Sequence, residues 1–369
     1  MAETGRAAVY VATGQPMEIR EYPVPDPEPG AILIKVTRAN ICGSDLHYWR
    51  GDINLTALGA PLPAVIGHEM MGTVAKLGEG VVADSAGQPL AVGDRVVHRY
   101  FHPCGHCRAC MKGQDQACPM APLAVVLPVD DFPHFTGVYA EYYYARPNQT
   151  VFKVPDNVTD DMAAPANCAL SQVIHGLERV NFSFGETIAI QGAGGLGLYA
   201  TAVAKEMGAA KVIVIDGIDE RLELAKAFGA DELIDIRQVT TPTERWLKVR
   251  ELTDGWGADV VAELVGFPQV IPEGIDMLGN GGRYLLIGNV NPMMTYEADP
   301  SQLVMNNKSV HGVLFYPATA LKKALDFLSR AKDRYPFDKI LSCSYPLEEI
   351  NEAFTEQDKG HISRSTIIP

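Results

Sequence analysis

Over the first 155 residues or so, short apolar runs alternate with turn residues; longer apolar runs begin only after that. Ala31 to Arg38 and Ala91 to His98 have the length and composition of strands, and Pro29-Gly30 and Val92-Gly93-Asp94 are turn signals beside them. An irregular, mostly β domain is predicted there. Near Asp156 the texture changes. Thr159-Asp160-Asp161 reads as a helix start ahead of an Ala-rich segment. Apolar runs of strand length follow at Glu186 to Gln191, Lys211 to Asp216, Glu232 to Ile234, Asp259 to Val265, Arg283 to Ile287 and Ser309 to Leu314. Helical patterns separate most of them, including Leu196 to Met207 and Glu220 to Phe228, each ended by a glycine, Gly208 and Gly229. Uninterrupted apolar strands between helices predict a parallel sheet covered on both faces. Thr319 to Arg330 is helical again, and the mixed pattern beyond it predicts a return to the first domain. No internal repeat interrupts this order.

A chain of 369 residues with 47% hydrophobic and 21% charged residues fits an ordinary globular protein of about two domains. The net charge of −14, with no basic block to offset it, repels a phosphate backbone and argues against nucleic acid as a partner. The N-terminal residues lack the apolar core of a signal peptide, and no apolar run reaches the roughly 18 to 20 residues that cross a bilayer. The expectation is a cytoplasmic protein with no membrane partner.

The candidate chemistry lies in three places. Cys104, Cys107, Cys110 and Cys118 have the spacing of four thiolates converging on one structural zinc. A disulfide framework is not expected in a chain long enough to bury its own core. The strand Ile188 to Gln191 runs into Gly192-Ala-Gly194-Gly195-Leu196-Gly197 and then a helix. That order places glycines where a dinucleotide fold needs a tight turn, close approach to pyrophosphate and close helix packing. Asp216 ends the next strand, where a carboxylate accepts hydrogen bonds from the adenosine ribose and repels a 2′-phosphate. NAD is expected over NADP, a preference that Arg221 would soften if it reached the ribose. Gly266, Ile287 and Gly288, at later strand ends, either line the nicotinamide pocket or serve packing. Finally, Cys42-Gly-Ser44-Asp45-Leu-His47 and Gly67-His68-Glu69 supply a thiol and an imidazole for a second metal. A third ligand is required, and Cys168 lies in a segment able to provide it.

Gly67-His68-Glu69-x-x-Gly72, with Gly78 and Val81 following, resembles the signature of the zinc-containing medium-chain alcohol dehydrogenases. The four-cysteine lobe, the glycine loop and Asp216 fall in that family's order, so the resemblance spans essentially the whole chain. It implies an α/β fold: a GroES-like, mostly β catalytic domain at 1–165, a six-stranded parallel Rossmann domain binding NAD at 166–317, and a segment at 318–369 returning to the catalytic domain. It implies two zinc ions, the catalytic one on Cys42, His68 and Cys168, the last within Ala164-Pro-Ala-Asn-Cys168. Glu69 matches a residue behind the metal that ligates it transiently in some members, and Asp45 matches the carboxylate that orients the zinc-bound histidine. Asp45 is also placed to cap the helix after Gly43. Ser44 and His47 match the proton relay, although His47 also reads as a surface histidine or a cofactor contact.

The resemblance implies hydride transfer between an alcohol and NAD, giving a ketone or aldehyde, in a cleft between the domains. A secondary or bulky apolar alcohol is expected, in a pocket lined by Tyr48, Trp49 and the segment 121–136, with Asn289 and Leu314 near the cofactor. His134 reads as a substrate contact or a loop closure; Arg50, Arg99 and His102 would serve an anionic substrate if they faced the cleft. Cys343, Met293 and Met294 read as packing. Polyol and threonine dehydrogenases of the same superfamily are the near alternative, against which a cysteine at 168 leans, since glutamate is common there. A non-catalytic NAD-binding zinc protein is the alternative of another class. A homodimer or homotetramer is implied, with Val310 to Leu314 pairing across the axis.

Overall fold

The computed structural model describes residues 3–57, 59–122, 126–291, 294–360 and 364–369; Met293 and residues 123–125 of the expected pocket lie outside these. The chain forms two compact units: one of Met1–Cys168, Pro317–Lys332 and Phe337–Pro369, the other of Ala169–Tyr316 and Asp333–Pro336. The first unit thus runs through Cys168, three residues past the expected boundary at 165. The short return at Asp333–Pro336 joins the second unit through Tyr335, which stacks on Phe228 and donates to Glu206.

In the first unit, strand β1 (Ile32–Asn40) pairs antiparallel with β2 (Glu69–Leu77), so that Asn40 lies opposite Glu69. β1 also pairs with Tyr142–Ala145 and with Ser365–Ile368, the C-terminal strand, which brings Arg364 to the end of the site. Helix α1 (Gly43–Arg50) leaves the end of β1 two residues later. Its start is fixed by Asp45, whose carboxylate accepts from the amide of Cys42 at 2.9 Å. Gly51, left-handed at φ 85°, ends it. The expected strand from Ala91 shortens to Arg95–His98, because Asp94 closes a turn on the amide of Ala91.

The second unit is a six-stranded sheet, parallel throughout, of β3 (Thr187–Gln191), β4 (Lys211–Asp216), β5 (Glu232–Asp235), β6 (Ala258–Glu263), β7 (Leu278–Leu286) and β8 (Ser309–Gly312). Its order is β5-β4-β3-β6-β7-β8, with every neighbouring pair parallel. The order reverses at β3, the position at which doubly wound sheets bind ligands beyond the strand ends. β7 begins at Leu278, ahead of the expected Arg283, because the glycine-rich run Gly279 to Gly282 continues the strand through a register shift. β6 stops at Glu263, short of Val265, because the side chain of Glu263 takes the next amides.

Helix α2 (Gly195–Glu206) follows the glycine loop. Gly192 has φ 95°, and a β-carbon on Gly197 would lie 1.9 Å from the carbonyl oxygen of Gly192. A β-carbon on Gly194 would meet nothing within 4 Å, so the space beside its backbone is open. Gly197→Ala is expected to destabilise the protein by about 1–3 kcal/mol through this overlap. A lowered denaturation midpoint with unchanged slope in urea checks it.

Candidate metal centres and cofactor loop

Cys42 sits at the start of α1, His68 immediately before β2, and Cys168 at the end of a 3₁₀ turn, Ala164–Asn167. The turn is tied to β2 by Asn167, which donates to the carbonyl of His68 at 2.9 Å. One donor atom from each of Cys42, His68, Glu69 and Cys168 lies within 4.8 Å of all the others. The two sulfurs are 4.0 Å apart. Two thiolates on one tetrahedral zinc lie about 3.8 Å apart, given bonds of about 2.3 Å, so the donor set fits that ion.

Asp45 is fully buried beside this cluster and has three partners. One oxygen accepts from the amide of Cys42 and, at 2.8 Å, from the hydroxyl of Tyr139; the other faces Nδ1 of His68 at 3.5 Å. With Nδ1 turned to Asp45, Nε2 is the ring nitrogen left for a metal. Tyr100 packs against the imidazole with ring centres 4.5 Å apart. Gly67 explains why a glycine precedes His68: its φ is 86°, and a β-carbon would lie 2.6 Å from the ring of Tyr139.

The buried groups of this cluster shift one another strongly. The Cys168 thiol, with help from His68 and Arg364, holds Cys42 well below the ordinary thiol range against the effect of burial. Burial disfavours charge on His68, yet Asp45 and Cys42 raise it well above its ordinary value. Burial pushes Glu69 up to about 7, restrained by Arg364. Glu69 ion-pairs through one oxygen with the buried Arg364, and its other oxygen has no hydrogen-bond partner among the described residues.

Ser44 lies half-buried in the first turn of α1, two residues from Cys42. His47, one turn on, is held through Nδ1 by Asp52 at 2.8 Å. Tyr48 and Trp49 pack against the core of the first unit, Trp49 on Phe354. His134 closes its own loop, with Nδ1 on the carbonyl of Val129 and its ring stacked on Tyr22. Arg50 pairs with Asp52 and Asp358, and the buried Arg99 with Asp115. His102 lines a small polar pocket of about 10 Å³ with Tyr100, Arg146 and Gln149.

In the same unit, the sulfurs of Cys104, Cys107, Cys110 and Cys118 all lie within 4.8 Å of one another, with Cys107 and Cys110 at 3.5 Å. The amides of Cys107 and Cys104 donate to the sulfurs of Cys104 and Cys118, each at 3.3 Å. Such N–H to sulfur bonds favour thiolates, and the four sulfurs are close enough to share one cation.

In the second unit Asp216 is held by the backbone. One oxygen accepts from Gly217 and Ile218, the other from Ala193 of the glycine loop at 2.7 Å. Arg221 lies in the first turn of the next helix, Asp219–Ala227. Gly266 and Gly288 come into contact, a β-carbon on Gly266 meeting the oxygen of Gly288 at 3.1 Å. The Ile287 side chain is buried against Gly176, so packing accounts for that side chain.

Residues 28–156 match the alcohol dehydrogenase GroES-like domain, and residues 195–330 match the zinc-binding dehydrogenase domain. Over its full length the chain is similar to 5-exo-hydroxycamphor dehydrogenase of Pseudomonas putida, at 32% identity covering 98% of both proteins. The chain belongs to the zinc-containing medium-chain dehydrogenase family. Sorbitol dehydrogenase of Bacillus subtilis is another member at 32% identity, covering 94% of this chain and 92% of that one. The crystal structure of an alcohol dehydrogenase from Thermotoga maritima superposes with a TM-score of 0.93 at 29% identity over 100% of both chains. The GroES-like and Rossmann-like folds of this dehydrogenase are those of its relatives. Among the described residues, no helix is long and apolar enough to cross a membrane.

Arg364, Tyr139, Asn167 and Glu263 were not nominated from the sequence. Each stands alone in its segment, without a motif, and becomes visible only through its buried partner. Asp45→Ala is expected to lower metal affinity at the Cys42 site about 10- to 100-fold. Metal retained after dialysis against graded chelator measures the loss, which should leave the Cys104 site loaded.

Proposed function

We propose that this dehydrogenase is NAD-dependent, holds two zinc ions, and oxidises a bulky, largely apolar alcohol, preferably secondary, to its ketone or aldehyde, and that it also runs in reverse. The observation that carries the reading is the donor set of Cys42, His68 and Cys168 with the imidazole held from behind by Asp45. When bound, zinc acidifies the alcohol hydroxyl and the nicotinamide accepts the hydride.

The chain's own residues prepare that chemistry. Cys42, His68 and Cys168 would hold the metal, which would bind the substrate oxygen. Glu69 lies beside these donors, ion-paired with Arg364. Ser44 takes the hydroxyl proton and passes it toward His47. Because Asp52 occupies Nδ1 of His47, the ring offers Nε2 as the acceptor. His47 and Arg50 together keep Asp52 below the usual carboxylate range, although its partial burial acts the other way. Cys104, Cys107, Cys110 and Cys118 hold the structural ion.

The cofactor preference rests on Asp216 and on the state of a cation on the loop after the neighbouring strand. Arg237, next to Ile236 whose amide bonds to the backbone of Asp216, is ion-paired to both Asp219 and Asp235. It is thereby withheld from a 2′-phosphate. The preference for a bulky alcohol draws on the full-length similarity to 5-exo-hydroxycamphor dehydrogenase. Oligomerisation through the sheet edge would use β8, one of the two edge strands of the parallel sheet.

Ser44→Ala is expected to lower kcat about 100- to 10,000-fold while two zinc ions per chain and NADH binding persist; unchanged turnover would remove Ser44 from the relay. With the unaltered protein, absorbance of the reduced cofactor across bicyclic, cyclic and aromatic alcohols, sorbitol and threonine should favour the bulky apolar alcohols, and NAD over NADP. Preference for sorbitol or threonine would move the assignment to those branches.

A further inference from the structure

The adenosine side of the cofactor site is set by Asp216 at the end of β4, on one flank of β3. A dinucleotide laid across the glycine loop therefore extends its nicotinamide half over the ends of β6 and β7, on the other flank. Both of those loops converge on one fully buried carboxylate, Glu263, the last residue of β6.

Oε1 of Glu263 accepts from the amides of Val265 at 2.8 Å and Gly266 at 2.6 Å; Oε2 accepts from the amide of Asn289 at 3.0 Å. Its main-chain oxygen accepts from Ile287 and Gly288. Five amides from two loops thus close on a single residue. The loops touch because both carry glycine: a β-carbon on Gly288 would lie 2.7 Å from the nitrogen of Gly266 and 2.8 Å from Oε1 of Glu263. The same loop reaches β3, since a β-carbon on Gly192 would meet Leu264 and Val265. A buried carboxylate costs desolvation unless its oxygens are satisfied, and here backbone amides satisfy them.

We propose that Glu263 is a positioning residue for the nicotinamide half of the cofactor. Peptide planarity means that fixing an amide fixes the carbonyl across it. Glu263 therefore orients the carbonyls of Leu264, Val265, Ile287 and Gly288 together, and oriented carbonyls are the complement of the carboxamide NH2 of nicotinamide. In Glu263→Gln one oxygen becomes an NH2 that cannot accept from the amides facing it, so one loop is released while the apolar sheet beneath is unchanged.

This inference rests on the NAD reading, and calorimetric titration of the zinc-loaded protein with NADH and with ADP-ribose separates the two. The unaltered protein should bind both, NADH more tightly; binding of neither would overturn the NAD reading itself. Glu263→Gln should weaken NADH about tenfold or more and leave ADP-ribose within about twofold. An unchanged ratio of the two affinities, or an equal loss in both, would overturn the positioning role. Gly266→Ala parts the same two loops without removing the charge and should reproduce the selective loss, so the test stands if Glu263→Gln does not fold.

Discussion

A single buried carboxylate organises the first unit's chemistry. Asp45 caps the helix that carries Cys42, receives the hydroxyl of Tyr139 and faces Nδ1 of His68. These are three different structural demands, and each one limits where the other two partners can be. A helix start, a core tyrosine and a metal-facing imidazole are thereby held in one arrangement, and the thiol of Cys42 is presented from a fixed backbone. Gly67 belongs to the same arrangement, because any larger residue there would push the tyrosine off the carboxylate.

The second unit uses the same device at two strand ends. Asp216 ties the glycine loop to the turn after β4, and Glu263 ties the loops after β6 and β7. Neither carboxylate has a cation among its hydrogen-bond partners in the described residues; backbone amides provide the compensation. The difference lies in exposure: Asp216 is half-buried, whereas Glu263 is sealed. The first holds a loop at the surface, the second holds two loops from within.

What could be read in the sequence was local. Four cysteines within fifteen residues, glycines at a strand-to-helix turn and apolar runs of strand length each carry their meaning within a short window. The ends of β4, α2 and the helix Asp219–Ala227 fall close to where those patterns place them. What could not be read was long-range. Arg364 meets Glu69 from 295 residues away, and Tyr139 meets Asp45 from 94. An arginine in a C-terminal segment looks solvated until a strand pairing carries it inward. Glu263 is silent in the sequence because a lone glutamate inside an apolar run that continues to Val265 carries no motif, when its side chain in fact ends the strand by accepting the amides of Val265 and Gly266. The glycine run at 279–282 hid the start of β7 for a related reason: glycine weakens a strand signal but does not prevent pairing in the interior of a sheet.

The two thiol clusters also differ in how much chain each must gather. Cys104 and Cys118 are 14 residues apart, whereas Cys42 and Cys168 are separated by 126. The longer closure costs about 2 kcal/mol more conformational entropy. During synthesis all four cysteines of the small lobe exist before residue 168 does. The cluster of Cys42, His68 and Cys168 can form only once the first unit has drawn these remote segments together, so any ion bound there would enter a host that is already folded.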